Sequence, residues 1–174
     1  MAARPARKGH FGYTISDVHM EGWTGSTFNA WEMTSIGRPF RGSYGTNGWV
    51  FDYYDESYYR PLTRIGLRLN VYSVGNRAKI PLLLDHRLPM GRPHEEFCRP
   101  PKVATAVGQM PFCINRHNEY INGLFLDWSV RKVGLKELWT LKWYEAFNTA
   151  NQWTKAGGVK PEDWPEWMRN LKDY

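Results

Sequence analysis

Apolar residues gather in short runs along most of this chain and take up a helical period only towards its C-terminus. From Phe11 to Trp49 the pattern is one of short alternating patches among Gly, Ser, Thr and aromatic residues, which fits strands and turns. Arg41–Val50 carries three glycines and an asparagine, residues that permit positive φ, so it reads as turn-strand structure with Tyr44 and Trp49 packing below. Leu67, Asn70, Tyr72 and Val74 fall in a strand or a short helix. Lys79–Asp85 reads as a buried strand with Pro81 near its start. A long loop rich in proline follows from His86 to Gly108, and loops of that length usually carry function or an interaction surface. Tyr120–Asp127 then reads as one strand, a tight reversal sits near Trp128-Ser129, and Val130–Val133 begins the return strand.

Beyond that hairpin the period changes. Leu135, Leu138, Trp139, Lys142, Trp143, Ala146 and Phe147 share one helical stripe, broken only by Lys142, whose stem can lie along apolar surface. Gly157-Gly158 interrupts, and Pro161 with the acids after it suits a helix start. Trp164, Trp167, Met168 and Leu171 then predict a second amphipathic helix. The expected architecture is α+β: a mainly antiparallel sheet with Gly/Pro-rich loops, packed against C-terminal amphipathic helices. Residues 1–10 are expected to be a flexible basic tail, and residues 11–174 one globular domain.

Composition narrows the functional classes. At 174 residues and 42% hydrophobic the chain can bury a core as a single domain. No run approaches the roughly 20 apolar residues that span a bilayer. The net charge of +6 is spread among acids, with Arg4, Arg7 and Lys8 in the tail, and no nucleic-acid motif accompanies it. Such a charge still permits non-specific attraction to acidic polysaccharide. Aromatic content is high at 16%, and Trp23, Trp31, Trp49, Tyr53, Tyr54, Tyr58 and Tyr59 can serve as sugar-stacking platforms, as an interface or as core. Asp52, Asp55 and Glu56 offer hard oxygens suited to calcium, without the spacing of an EF-hand loop. Cys98 and Cys113, with fourteen residues between them, suit either a disulfide worth roughly 3 kcal/mol or two buried thiols.

His117 and Asp127, with nine residues between them, are the most informative pair. They have three readings. As base and orienter of a hydrolase they need a nucleophile, for which Ser129 is nearest in sequence. As metal ligands they need Asp85 or His86 beside them. As structural residues, His117 bonds backbone near the hairpin while Asp127 caps its turn.

The interval His117–Asp127 resembles the motif of the prepilin-type H-x(9)-D-G domain family, abundant in planctomycetes. Further blocks resemble that family in order: Arg41–Val50, Ile80–Asp85, Asn115–Trp143 and Lys155–Tyr174. The resemblance implies a pilin- or pseudopilin-like head domain of a type II secretion or type IV pilus-related filament. It would be extracellular or at the cell surface, without enzymatic activity or cofactor, and would partner other copies of itself or other pilin-like subunits. His117 and Asp127 would mark the fold. This chain has Trp128 where the family has glycine, which argues against a two-residue type I′ turn. It also has Val18–Trp23, polar and interrupted by Gly22, where the family carries its long apolar helix. A truncated gene, a soluble fragment or a variant that has lost the helix would each account for that. The competing expectations are an aromatic-rich carbohydrate-binding module and, behind it, the hydrolase.

Overall fold

The computed structural model describes residues 4–5, 10–15, 18–35, 37–50, 75–94, 98–105 and 109–174. The residues proposed for calcium (Asp52, Asp55, Glu56), the aromatics Tyr53, Tyr54, Tyr58 and Tyr59, and the segment 67–74 lie outside that set.

Among the described residues, ten strands form two five-stranded sheets. The first is built from β1 (Arg4–Pro5), β2 (His10–Ile15), β3 (Val18–Trp23), β4 (Asn29–Met33) and β5 (Phe40–Gly42), in the order β1-β4-β3-β2 with β5 also on β4. β2 and β3 make a hairpin in which Ile15 pairs with Val18, and Arg4-Pro5 of the basic N-terminal segment pairs in parallel with Asn29-Ala30. The second sheet runs β10-β9-β7-β6-β8, from β6 (Tyr44–Asn47), β7 (Pro81–Asp85), β8 (Met90–Gly91), β9 (Tyr120–Phe125) and β10 (Val130–Gly134). All pairings within it are antiparallel except β6 with β8.

Strand position follows side-chain pattern. β7 is the middle strand, covered on both faces, and accordingly reads Pro-Leu-Leu-Leu-Asp with little polar content. A register shift beside Pro81 absorbs its missing N–H. β9 lies next to it and alternates, with Ile121, Gly123 and Phe125 buried and the residues between them half-exposed. The core against this sheet is aromatic: Phe112 stacks on Trp143 at 4.8 Å, Trp164 meets Trp139 edge-on at 5.2 Å, and Tyr144 meets Phe147 at 5.3 Å.

The two C-terminal helices expected from periodicity are absent. In their place stand short 3-10 turns, the longest among the described residues being Lys136–Thr140. Most of the expected stripe is buried, with Leu135, Leu138, Trp139, Trp143 and Phe147 in the core, although Ala146 is exposed. Tertiary partners take the backbone groups that a helix would pair internally. The Trp139 carbonyl accepts from Asn151 Nδ2, the Trp143 carbonyl accepts from Asn47 Nδ2, and the Lys142 N–H donates to the Lys79 carbonyl. Leu141 is extended, with φ −79° and ψ 149°, and ends the turn. In the second segment Pro165 decides the outcome: the residue before a proline avoids the helical region, and Trp164 sits at φ −78°, ψ 147°. Two single turns, Pro161–Asp163 and Glu166–Met168, flank it. They are held by Lys136, whose buried ammonium contacts Asp173 at 2.7 Å, the Arg169 carbonyl and the Trp164 ring. No helix among the described residues is long and apolar enough to cross a membrane.

Candidate functional site

β7 delivers Asp85 to the end of an apolar strand, where its side chain is only 2% exposed and must be paired. The partners come from the corner 115–120 that precedes β9. Asn118 (φ 50°) and Glu119 (φ 78°) are both left-handed, the positive-φ pair used by a type I′ turn, and the His117 N–H donates to the Tyr120 carbonyl across it. Asn115 Oδ1 fixes the corner by accepting from the Glu119 N–H at 2.6 Å.

This turn drives Arg116 inward. Its Nη1 lies 3.2 Å from Asp85 Oδ1 and donates to the Ser43 carbonyl at 2.6 Å. Its Nη2 donates to the carbonyls of Ser26 (2.8 Å) and Asn29 (3.4 Å), and its Nε to that of Thr27 (3.2 Å). One guanidinium thus joins the β3–β4 connection and the start of β4, in the first sheet, to the link between β5 and β6 and to β7, in the second. His117 closes the cluster from outside. Its Nε2 is 3.1 Å from Asp85 Oδ2, the oxygen that also accepts from the Asn122 N–H at 2.7 Å, and the Asn122 side-chain amide lies 3.1 Å from the same imidazole nitrogen. With its side chain 42% exposed, His117 is the cluster's contact with solvent.

Asp127 sits at the other end of β9, separated from His117 by a strand of roughly 17–20 Å. There its Oδ1 accepts from both the hydroxyl (2.6 Å) and the N–H (3.0 Å) of Ser129. Those two bonds, the hydroxyl's first, hold the Asp127 carboxyl below its ordinary value. The Trp128 N–H donates to the Phe125 carbonyl, and Trp128 itself is left-handed at φ 66°. Leu126 and Asp127 do not have positive φ, so the reversal is a type I turn followed by a left-handed bulge residue, and not the two-residue type I′ turn. Glycine is the usual occupant of that bulge position; here a tryptophan 77% exposed occupies it.

These positions dissolve the hydrolase constellation. A carboxylate-oriented imidazole exists, but its carboxylate is Asp85, while Asp127 and Ser129 bond each other at the far end of the strand. Nor does a metal site assemble: among the described residues no three His, Cys, Asp or Glu groups converge. His86, a neighbour of Asp85, is turned into the core, its ring 4.1 Å from Phe112 and its Nδ1 against the backbone of Leu88. Gly45 and Gly91 make room for it, since a Cβ on either would fall 2.6 or 2.7 Å from a ring nitrogen. Burial pushes its pKa down to about 3, so it is a neutral core residue. Cys98 and Cys113 are both buried as thiols and are not joined in a disulfide, and burial pushes the Cys113 thiol up. They pack as small apolar side chains in the aromatic core.

Of the aromatics proposed as a sugar platform, Trp23, Trp31 and Trp49 fall among the described residues, and none of the three is exposed. Trp31 is buried, with its indole N–H on the Tyr44 carbonyl; Trp49 packs on Tyr144 and donates to the Pro93 carbonyl; Trp23 is partly buried on β3. Among the described residues the exposed rings are others: Phe28, Phe40, Tyr44 and Trp128. Arg116, the cluster's most connected residue, escapes notice in the sequence because its partners lie 31 to 90 residues away. One signal was available: Asp85 closes an apolar run and so demands a buried cation. Comparison with family models, with curated proteins and with solved structures finds no match.

Proposed function

We propose that this chain is the globular head of a pilin- or pseudopilin-like structural subunit, working by assembly and display at the cell surface and carrying out no chemistry. The observation that supports this most is the fate of the His117–Asp127 pair. Each residue is committed to a local structural task at its own end of β9: His117 seals the Asp85–Arg116 clamp between the sheets, and Asp127 caps the hairpin reversal. The left-handed bulge at position 128 adds to it, since that geometry asks for the glycine that the H-x(9)-D-G motif carries there. Partners in this reading are further copies of the chain or related subunits. Negative-stain micrographs of the protein at high concentration test it: filaments or ordered oligomers are expected, and uniformly dispersed single particles at every concentration would count against assembly.

A further inference from the structure

The loop after β7 holds a second arginine whose environment differs from that of Arg116. Arg87 is buried to 7% exposure, yet its Nε has no hydrogen-bond partner and no carboxylate pairs with it among the described residues. Its backbone is engaged, the carbonyl accepting from the Gly25 N–H at 2.8 Å. The nearest acid in sequence, Asp85, is spent: Oδ1 faces Arg116, and Oδ2 takes the Asn122 N–H and His117. His86, between them in sequence, is neutral in the core, with the positive charges of Arg87 and Arg116 both acting on it. Of these two guanidinium groups, only that of Arg116 is paired with a carboxylate among the described residues. A buried guanidinium N–H without a hydrogen-bond partner is costly, and an anion that accepts from it removes that cost.

We propose that Arg87 is the anchor of a binding site for a small oxyanion group, a phosphate or a carboxylate, presented by a ligand at the β7–β8 loop. The planar fork of a guanidinium matches two oxygens of either group, which a point charge would not. The site stands whether or not the chain self-assembles. Burial of Arg87 by the fold leaves little of it accessible, which selects a single compact oxyanion over an extended polyanion.

The test is thermal denaturation of the full chain in inorganic phosphate, in acetate and in chloride at matched ionic strength. Phosphate or acetate is expected to raise Tm above the chloride value, and the larger of the two shifts names the oxyanion. Arg87→Met, which keeps an apolar stem and removes the charge, is expected to lose that shift and to match or exceed the wild-type Tm in chloride. Arg87→Lys is expected to keep only part of the shift, because it keeps the charge and loses the fork. Three results would each overturn the proposal: equal wild-type Tm in all three salts, a shift of the same size in Arg87→Met, or a chloride Tm for Arg87→Met below that of wild type. The last would mean that the chain itself satisfies the guanidinium.

Discussion

Replacing Arg116 with methionine should cost the protein a large part of its stability, and the structure shows where. The guanidinium donates to four carbonyls, those of Ser26, Thr27, Asn29 and Ser43, and faces Asp85 Oδ1. Methionine can fill much of the space occupied by the stem, so the loss is mainly polar. Neutral hydrogen bonds contribute about 1 kcal/mol each and charged ones about 1.5–3, but the largest loss falls on Asp85, left buried without its guanidinium partner. Breaking one side of a buried pair typically costs about 3–5 kcal/mol. Against a total of about 5–15 kcal/mol for a domain, that is enough to shift the urea midpoint far towards native conditions. Urea titration followed by tryptophan fluorescence gives the loss. Hydrogen exchange adds its location, because Arg116 holds the β3–β4 connection, so protection at the Gly25 and Ser26 amides should fall first. Adding Asp85→Asn to the variant removes the stranded charge and should recover part of the loss, a non-additivity expected of direct partners. A loss below about 1 kcal/mol, or an additive double variant, would refute the clamp.

Three further outcomes rest on particular residues. Trp128→Gly should raise stability by about 0.5–1 kcal/mol, since it relieves a left-handed bulky residue while sacrificing little burial, and a lower Tm would contradict the turn assignment. His86 has a folded pKa of about 3 against 6.5 unfolded, so the unfolded chain gains the proton first and stability must fall as pH drops through that window. From pH 6.5 down to about 5, above the carboxylate range, the loss should reach about 2 kcal/mol, and His86→Gln should flatten the profile; an unchanged slope in that variant would exclude His86 as its source. Adding a thiol reductant should leave Tm unchanged, because Cys98 and Cys113 are thiols in the core, and a marked drop would reveal a disulfide.

What was legible in the sequence was local. The β9–β10 hairpin could be read from its apolar runs, and β7 from an uninterrupted apolar segment, because burial on one face or two leaves a direct trace in residue order. The burial of Trp139, Trp143, Trp164 and Met168 could be read too, but not the conformation that buries them. Periodicity reports which side chains face inward, whereas the helix was displaced by backbone partners contributed by Asn47, Lys79 and Asn151. Pro165 was a local warning against the second helix. At the site, His117 and Asp127 draw notice as a pair, yet the contact that matters is His117 with Asp85, on a neighbouring part of the sheet. Non-local pairing of this kind leaves no spacing to read. The aromatic total likewise does not say which rings face water, and Trp128, exposed at the hairpin tip, stands out in the sequence only as the residue replacing a glycine.

Self-association, proposed above for this chain, makes its mass in solution depend on concentration. Light scattering across a concentration series measures that directly. Association predicts a mass that climbs above the 20.4 kDa of one chain as concentration rises. A mass that stays at 20.4 kDa throughout the series would contradict self-association.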